Sequence, residues 1–430
     1  MRPPVQLQRQ LEAKVQQAQP DDSANEQTAR TVAVLVGSTF LTKTADTLAS
    51  PKIVLTALLQ TMGASSIAVS ALVPLRESGA LLPQIWLAGL MARYHQLGPL
   101  YSAGALLQGL AAAGMLLSAW QLEGQQAGWA IVFCLGVLSI ARALCSISFK
   151  GVLGKCVPSG LRGQTTGWAS SAAGVATIIL SLALLVLPDY ATVDLFAVFL
   201  ALAALCWCVA AALFTRVNEK DDSQQQDEKV SIVDRLSLLR ENPSFRRFVI
   251  VRSLLVSTAL VAPWYVLLSV STNAVISSVG SLLLASGLAS FISSPFWGRY
   301  SDRSSRWVLQ VSALSVASLG LLTLTINWLV PGVFKSIWLV PFLYFLLQIA
   351  HQGVRVARKT YVVDLANDGN RVDYVSISNT LIGVIILVMG LVSGLLSIWL
   401  EPIGMIVLYS IAAGIGAWAA SLLPEAREQD

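Results

Sequence analysis

Residues 195–226 read LFAVFLALAALCWCVAAALFTRVNEKDDSQQQ. From Leu195 to Phe214 no side chain is charged. The hydrocarbon core of a bilayer takes about 20 apolar residues of helix, so this stretch reads as a membrane span. From Arg216 the character reverses, and Glu219-Lys220-Asp221-Asp222 leads into three glutamines. That is a water-exposed linker, and it divides the chain nearly in half.

Working outward, the same alternation recurs along all 430 residues. Hydrophobic residues make up 55% of the chain and charged residues 12%, with mean hydropathy +0.66; soluble domains carry about 25% charge. Apolar runs bounded by charge or turn residues predict spans at 32–60, 65–92, 97–120, 127–154, 163–187 and 192–215, then 245–270, 274–297, 306–328, 336–362, 372–399 and 402–422. The expected fold is all-α integral membrane, with twelve transmembrane helices in two six-helix bundles. The domains follow: an N-terminal tail at 1–31, a bundle at 32–215, a linker at 216–244, a second bundle at 245–422 and a tail at 423–430. A soluble enzyme, a secreted disulfide scaffold and a disordered protein are excluded.

The net charge of +5 forms no patch for nucleic acid. The basic residues sit between apolar runs instead. Arg30, Arg93, Lys155, Arg162, the linker cations, Arg299, Arg303, Arg306, Arg358, Lys359 and Arg371 fall on one side. The other side holds Glu123, Asp189, Asp194 and Glu401, with Lys335 its one cation. By the positive-inside rule both termini and the linker are expected in the cytoplasm. Trp120, Trp129, Trp328, Trp338 and Trp399 near one face, and Trp297 and Trp307 near the other, read as interfacial belts. The polar residues Met1–Ala29 have no apolar core of a cleaved signal. The five cysteines lack metal-site spacing and read as small buried hydrophobes.

An internal repeat is visible. Pro51 in span one matches Pro263 in span seven, 212 positions on. Gly89 matches Gly298, and Arg162 to Gly174 matches Arg371 to Gly383, each 209 positions on. Six spans per half make this a parallel pseudo-twofold repeat.

Residues Gly298-Arg-Tyr-Ser-Asp302-Arg303-Ser-Ser-Arg306-Trp-Val-Leu309 resemble the G-x-L-A-D-R-x-G-R-[RK]-x-x-[IL] loop of the major facilitator superfamily. Leu138-Ser-Ile-Ala-Arg142 is similar to that family's span-four arginine signature. In the first loop copy, Gly89-Leu-Met-Ala-Arg93, an arginine replaces the aspartate; Ser146 stands where the span-four signature has glycine; and span five lacks the G-P-x-x-G-G stretch of the drug antiporters. The resemblance implies a secondary transporter working by alternating access in a bacterial inner membrane, with spans one and four lining the cavity. It also implies loop latches. Asp302, flanked by Arg303 and Arg306, should meet the start of span five near Arg162. Its counterpart Arg93 should meet Asp373 at the start of span eleven, with the charges exchanged.

Ionisable groups at mid-span are costly and mark functional positions. Lys43 and Asp46 lie three apart on one face of span one and can pair. Arg76 and Glu77 follow Pro74 in span two, pointing about 100° apart towards different neighbours. Arg142 lies midway along span four. Cavity candidates in the second half are Tyr265 in span seven, Gln348 and His351 in span ten, and Asn379 in span eleven.

These residues define the expected substrate and ion site. Its partners would be a small solute, protons and the lipid bilayer, with no nucleic acid and a monomeric chain. Among the five mid-span charges positive exceeds negative by one, which leans towards an anionic or zwitterionic organic solute. No phosphate-binding loop, metal cluster or nucleophile–base pair is visible, so neither an enzyme nor a cofactor is expected. A drug or metabolite efflux antiporter, and a non-transporting sensor or assembly factor on the same scaffold, are the alternative readings.

Overall fold

The first membrane span is interrupted. Helix α1 (Asp22–Leu48) ends just before Pro51, and α2 (Val54–Thr61) resumes after it. Proline has no N–H to give and disfavours helical backbone before it. Across the break the Leu55 amide reaches back to the Ser50 carbonyl at 2.9 Å, and the Thr56 hydroxyl donates to the Pro51 carbonyl at 2.8 Å. Span seven is interrupted likewise, as α8 (Pro243–Leu255), α9 (Ser257–Leu260) and α10 (Ala262–Val270), the last opening just before Pro263. The two prolines matched by the repeat therefore sit beside equivalent breaks.

The computed structural model describes residues 22–83, 94, 96–186, 193–217, 219, 239–240, 242–270, 275–330, 332–335, 338–365 and 371–425. Among them there is no strand. Helix α3 (Ser66–Leu81) forms span two; α4 (Gly98–Gln121), α5 (Gly124–Cys156), α6 (Ser159–Val186) and α7 (Val193–Phe214) complete the first bundle. Helices α11 (Val275–Arg303), α12 (Ser305–Leu329), α13 (Leu339–Asp364), α14 (Arg371–Leu396) and α15 (Pro402–Ser421) complete the second. This is the all-α membrane fold of two six-helix bundles.

Starts are marked by capping chemistry. Ser65, Asn242 and Ser304 side chains accept the amides of Ala68, Phe245 and Trp307, and proline opens α8 and α15. Ten of the described helical segments are long and apolar enough to cross a membrane. Spans one and two are not among them. The first is cut at Pro51 and carries Lys43 and Asp46; the second carries Arg76 and Glu77 and runs into residues that are not described.

The apolar core is divided unevenly. One large cluster draws on both bundles, from Ala45–Val73 and Phe196–Trp207 on one side to Val256–Ala285 and Ile382–Ala413 on the other. It occupies the end of the molecule opposite the linker. At the linker end there are two separate clusters. Val32, Leu97, Val152, Leu161 and Phe214 belong to the first bundle alone, and Phe245, Val308, Tyr361 and Leu423 to the second alone. The bundles are thus sealed together at one end and parted at the other.

The seal depends on close backbone approach. A Cβ on Gly390 of α14 would lie 2.4 Å from Pro74 of α3, and one on Gly280 of α11 would lie 2.9 Å from Leu184 of α6. Small residues of this kind let membrane helices meet where no hydrophobic force drives them together. Around this frame Trp120, Trp129, Trp307, Trp328, Trp338 and Trp399 are exposed. Trp297 is not: it is buried, and its indole N–H donates to the Ile349 carbonyl at 2.8 Å. The sequence placed it at an interface because α11 was expected to end at 297; the helix runs on to Arg303, which draws Trp297 into the bundle.

Gly390→Leu should force spans two and eleven apart at Pro74. We expect a loss of about 1–3 kcal/mol, the usual cost of overpacking, read as a lower melting temperature of the detergent-solubilised protein. An unchanged melting temperature would show that the seal does not rest on this contact.

Candidate functional site

Between the bundles lies a cavity of about 230 Å³ whose charged lining is Lys52, Arg76, Glu77, Arg142, Arg355 and Arg358, with His351 beside them. Each bundle supplies part of the wall. Lys52 stands in the break after Pro51, Arg76 and Glu77 on α3 and Arg142 on α5; His351, Arg355 and Arg358 come from α13.

Asp46 of α1 organises the first wall. One of its oxygens, Oδ1, accepts from Arg76 Nη2 at 2.5 Å and also from Arg142 Nη1. A single carboxylate therefore ties spans one, two and four together. Lys43 does not form the pair that its spacing suggested. It is exposed, within electrostatic reach of Asp46, Arg142 and Arg355. Glu77 meets Lys52 Nζ at 3.8 Å and remains 39% exposed. The adjacent Arg76 and Glu77 thus reach different partners, as their angular separation requires.

The second wall has no carboxylate among its described residues. His351 is buried, its Nδ1 3.0 Å from Thr258 Oγ1. Arg252 of α8 is also buried, and it donates to Ser378 Oγ and, at 2.8 Å, to Asn379 Oδ1 of α14. Asn379 therefore serves an arginine. Gln348 is buried without lining the cavity, and Tyr265, also buried, shares a 2.9 Å hydrogen bond with Thr323 of span nine.

Sequence reasoning missed Lys52, Arg252, Arg355 and Arg358. A signal existed for two of them. His351, Arg355 and Arg358 recur at i, i+4 and i+7, which is one face of a helix. Arg358 was read as a topology marker, and Arg355 and Arg252 went unremarked. Lys52 directly follows the proline that opens span one.

At the linker end, Arg162 donates to the Val157 and Gly154 carbonyls of its own bundle, at 2.8 and 2.6 Å. Asp302 and Arg303 are exposed at the end of α11. Arg306 pairs with Glu425 at 3.1 Å and donates to the Leu423 carbonyl, so the chain's last described residues bind this loop. Arg93 lies outside the described residues, as does the side chain of Asp373.

Two six-helix bundles therefore enclose a charged cavity between them. The family model of the Major Facilitator Superfamily matches residues 253–430, and over about nine-tenths of its length the chain has the fold of solved transporters. The second half of the chain is thus similar in sequence to that family, with no subfamily identified, and the likeness over the rest of the chain is one of fold. The nucleoside transporter NupG superposes with TM-score 0.66 at 12% identity, covering 91% of this chain and 98% of its own. The xylose transporter XylE from E. coli, in its inward open conformation, gives 0.63 at 12% identity, covering 92% and 96%. A POT family transporter in complex with a thioalcohol-conjugated peptide gives 0.68 at 10% identity, covering 90% and 94%. No curated protein matches the chain by sequence.

Asp46→Asn would leave Arg76 and Arg142 without their shared counter-ion. Breaking a largely buried pair from one side costs about 3 kcal/mol or more. We expect a clear drop in melting temperature for Asp46→Asn and a smaller one for Glu77→Gln, whose ion pair is longer and wetter. Equal melting temperatures would remove Asp46 from its organising place.

Proposed function

We propose that this protein is a proton-coupled secondary transporter of a small, negatively charged organic solute. It would lie in a bacterial inner membrane as a monomer, with both termini and the linker cytoplasmic. The carrying observation is the cavity itself: titratable and fixed charges from both bundles meet in one space. With the linker end parted and the opposite end sealed, this is the inward-facing arm of an alternating-access cycle.

Of the two carboxylates, Glu77 is the better proton carrier. Asp46 shares one oxygen between two guanidinium groups, and neutralising it would strand both. Glu77 has one ammonium partner and an open face to the cavity. Glu77→Gln should therefore abolish gradient-driven accumulation in proteoliposomes while leaving solute exchange intact. Accumulation at the wild-type level in that variant would sink the proposal.

The gate at the linker end completes the cycle. Asp302 would meet the Arg162 region, beside Arg303 and Arg306, and Arg93 would meet Asp373, once the bundles close there. Carboxylates suit helix starts because of their partial positive charge; at Arg93 the charges are exchanged. Exposed pairs contribute only about 0–1 kcal/mol, so the effect is a shift in population. Arg93→Asp and Asp373→Arg should each raise reagent access to a reporter cysteine in the cavity from the linker side, and the double exchange should restore it. Additive damage in the double variant would remove the latch.

A further inference from the structure

The charges of the cavity do not balance. Its wall presents five cations, Lys52, Arg76, Arg142, Arg355 and Arg358, against Glu77. Counting Asp46 behind Arg76 and Arg142 still leaves a surplus of three positive charges. The cations also differ in how they are held. Arg76 and Arg142 share Asp46, and Lys52 has Glu77. Arg355 and Arg358 form no ion pair among the described residues, although both act electrostatically on Glu77. Arg252 adds a further buried guanidinium bound only by neutral groups, with its Nε unpartnered. Around the mouth, Lys43, Lys150 and Lys359 lie within electrostatic reach of one another or of Arg355 and Arg358.

Arg355 and Arg358, unpaired on the second bundle among the described residues, share the cavity with Lys52, Arg76 and Arg142 of the first, and this surplus of positive charge resists closure because repulsion grows as water is squeezed out. A neutral solute leaves all of that repulsion in place, and a monoanion leaves most of it. We infer that the cavity is built for a small organic anion carrying at least two negative charges, and that Glu77 is the chain's own occupant of the anion position, displaced when the ligand binds. This rests on the transporter reading and names the substrate class for it. Carboxylate and phosphate share the needed chemistry, since a guanidinium fork fits either. The cationic mouth would concentrate such anions before they enter.

Displacement also supplies a route for the proton. When the anion takes Lys52 and the arginines of α13, Glu77 loses its cation and stands beside negative charge. It then takes one proton from water onto a carboxylate oxygen, and no other bond changes. Binding is therefore accompanied by proton uptake, and affinity falls as pH rises.

The test is calorimetric titration of the purified full-length protein at constant ionic strength. The probes are glycerol, acetate, succinate, propane-1,2,3-tricarboxylate and glycerol 3-phosphate, the last separating phosphate from carboxylate sources. We expect affinity to climb with each added charge, and binding heats to depend on the buffer's ionisation heat because a proton is taken up. Arg355→Gln, at an exposed position that leaves packing alone, should weaken the tightest probe on the order of ten-fold, the scale of one charge-assisted hydrogen bond. Glu77→Gln should tighten it by a similar factor and abolish the proton uptake. No charge-dependent binding by any probe, or unchanged affinity in Arg355→Gln, or weaker binding in Glu77→Gln, overturns the inference. Proteoliposomes separate it from the function on which it rests. Movement of a neutral solute would defeat the charge argument and keep the transporter. Charge-ordered binding with no solute moved would do the reverse.

Discussion

The arrangement of the first bundle depends on one carboxylate oxygen. Asp46 Oδ1 is shared by Arg76 and Arg142, so spans one, two and four cannot shift against one another without exposing a guanidinium to a poor environment. In an apolar surrounding such a cluster costs more to break than it contributes by being made. The clamp thus selects one arrangement more than it adds stability. The break at Pro51 lies five residues beyond Asp46, and Lys52 beside it lines the cavity.

From that fixed wall the division of the core follows. Apolar packing that spans both bundles is confined to the sealed end, where Gly390 meets Pro74 and Gly280 meets Leu184. Towards the linker each bundle has a core of its own, and the charges lie where the three clusters diverge. A rocking motion can therefore leave the two private cores intact and exchange only the shared one. Interrupted helices in spans one and seven border the cavity through Lys52, Val256, Ala259 and Leu260, so irregular backbone from each bundle meets it.

Much of this was legible in the sequence, for reasons that differ by residue. Apolar runs of fixed length leave little freedom in a bilayer, so the twelve spans could be read directly. Pro51 and Pro263 were read only as markers of the repeat, within unbroken spans; a proline inside a span need not break it, since Pro74 and Pro295 lie within continuous helices. Depth was legible and direction was not. Lys43 and Asp46 share a face, yet the carboxylate turned to Arg76 and Arg142, helices whose rotation no single sequence records. Arg355 and Arg358 form a stripe with His351 that periodicity would have shown. Near a helix end the same residues also satisfy the positive-inside rule, and that bland explanation concealed them. Trp297 failed by a similar route, since a helix one turn longer than expected turned an interface residue into a core one.

The distribution of acids between the bundles carries the last step. Glu77 on the cavity wall and Asp46 behind it both belong to the first bundle, and the ionisable residues that the second bundle contributes to the described wall are Arg355, Arg358 and a buried His351. Guanidinium groups stay charged throughout the accessible pH range. The arginines of the second wall then form a fixed positive surface, and the carboxylates that could change charge are, among the described residues, on the first bundle. An anion that bridges Lys52 to Arg355 and Arg358 would draw the two surfaces together, and its departure would let them part. Protonation of Glu77 works in the same direction as anion binding, because it releases Lys52 to the ligand. On the proposed mechanism the two events would be coupled through one ammonium group, with no need for a longer path.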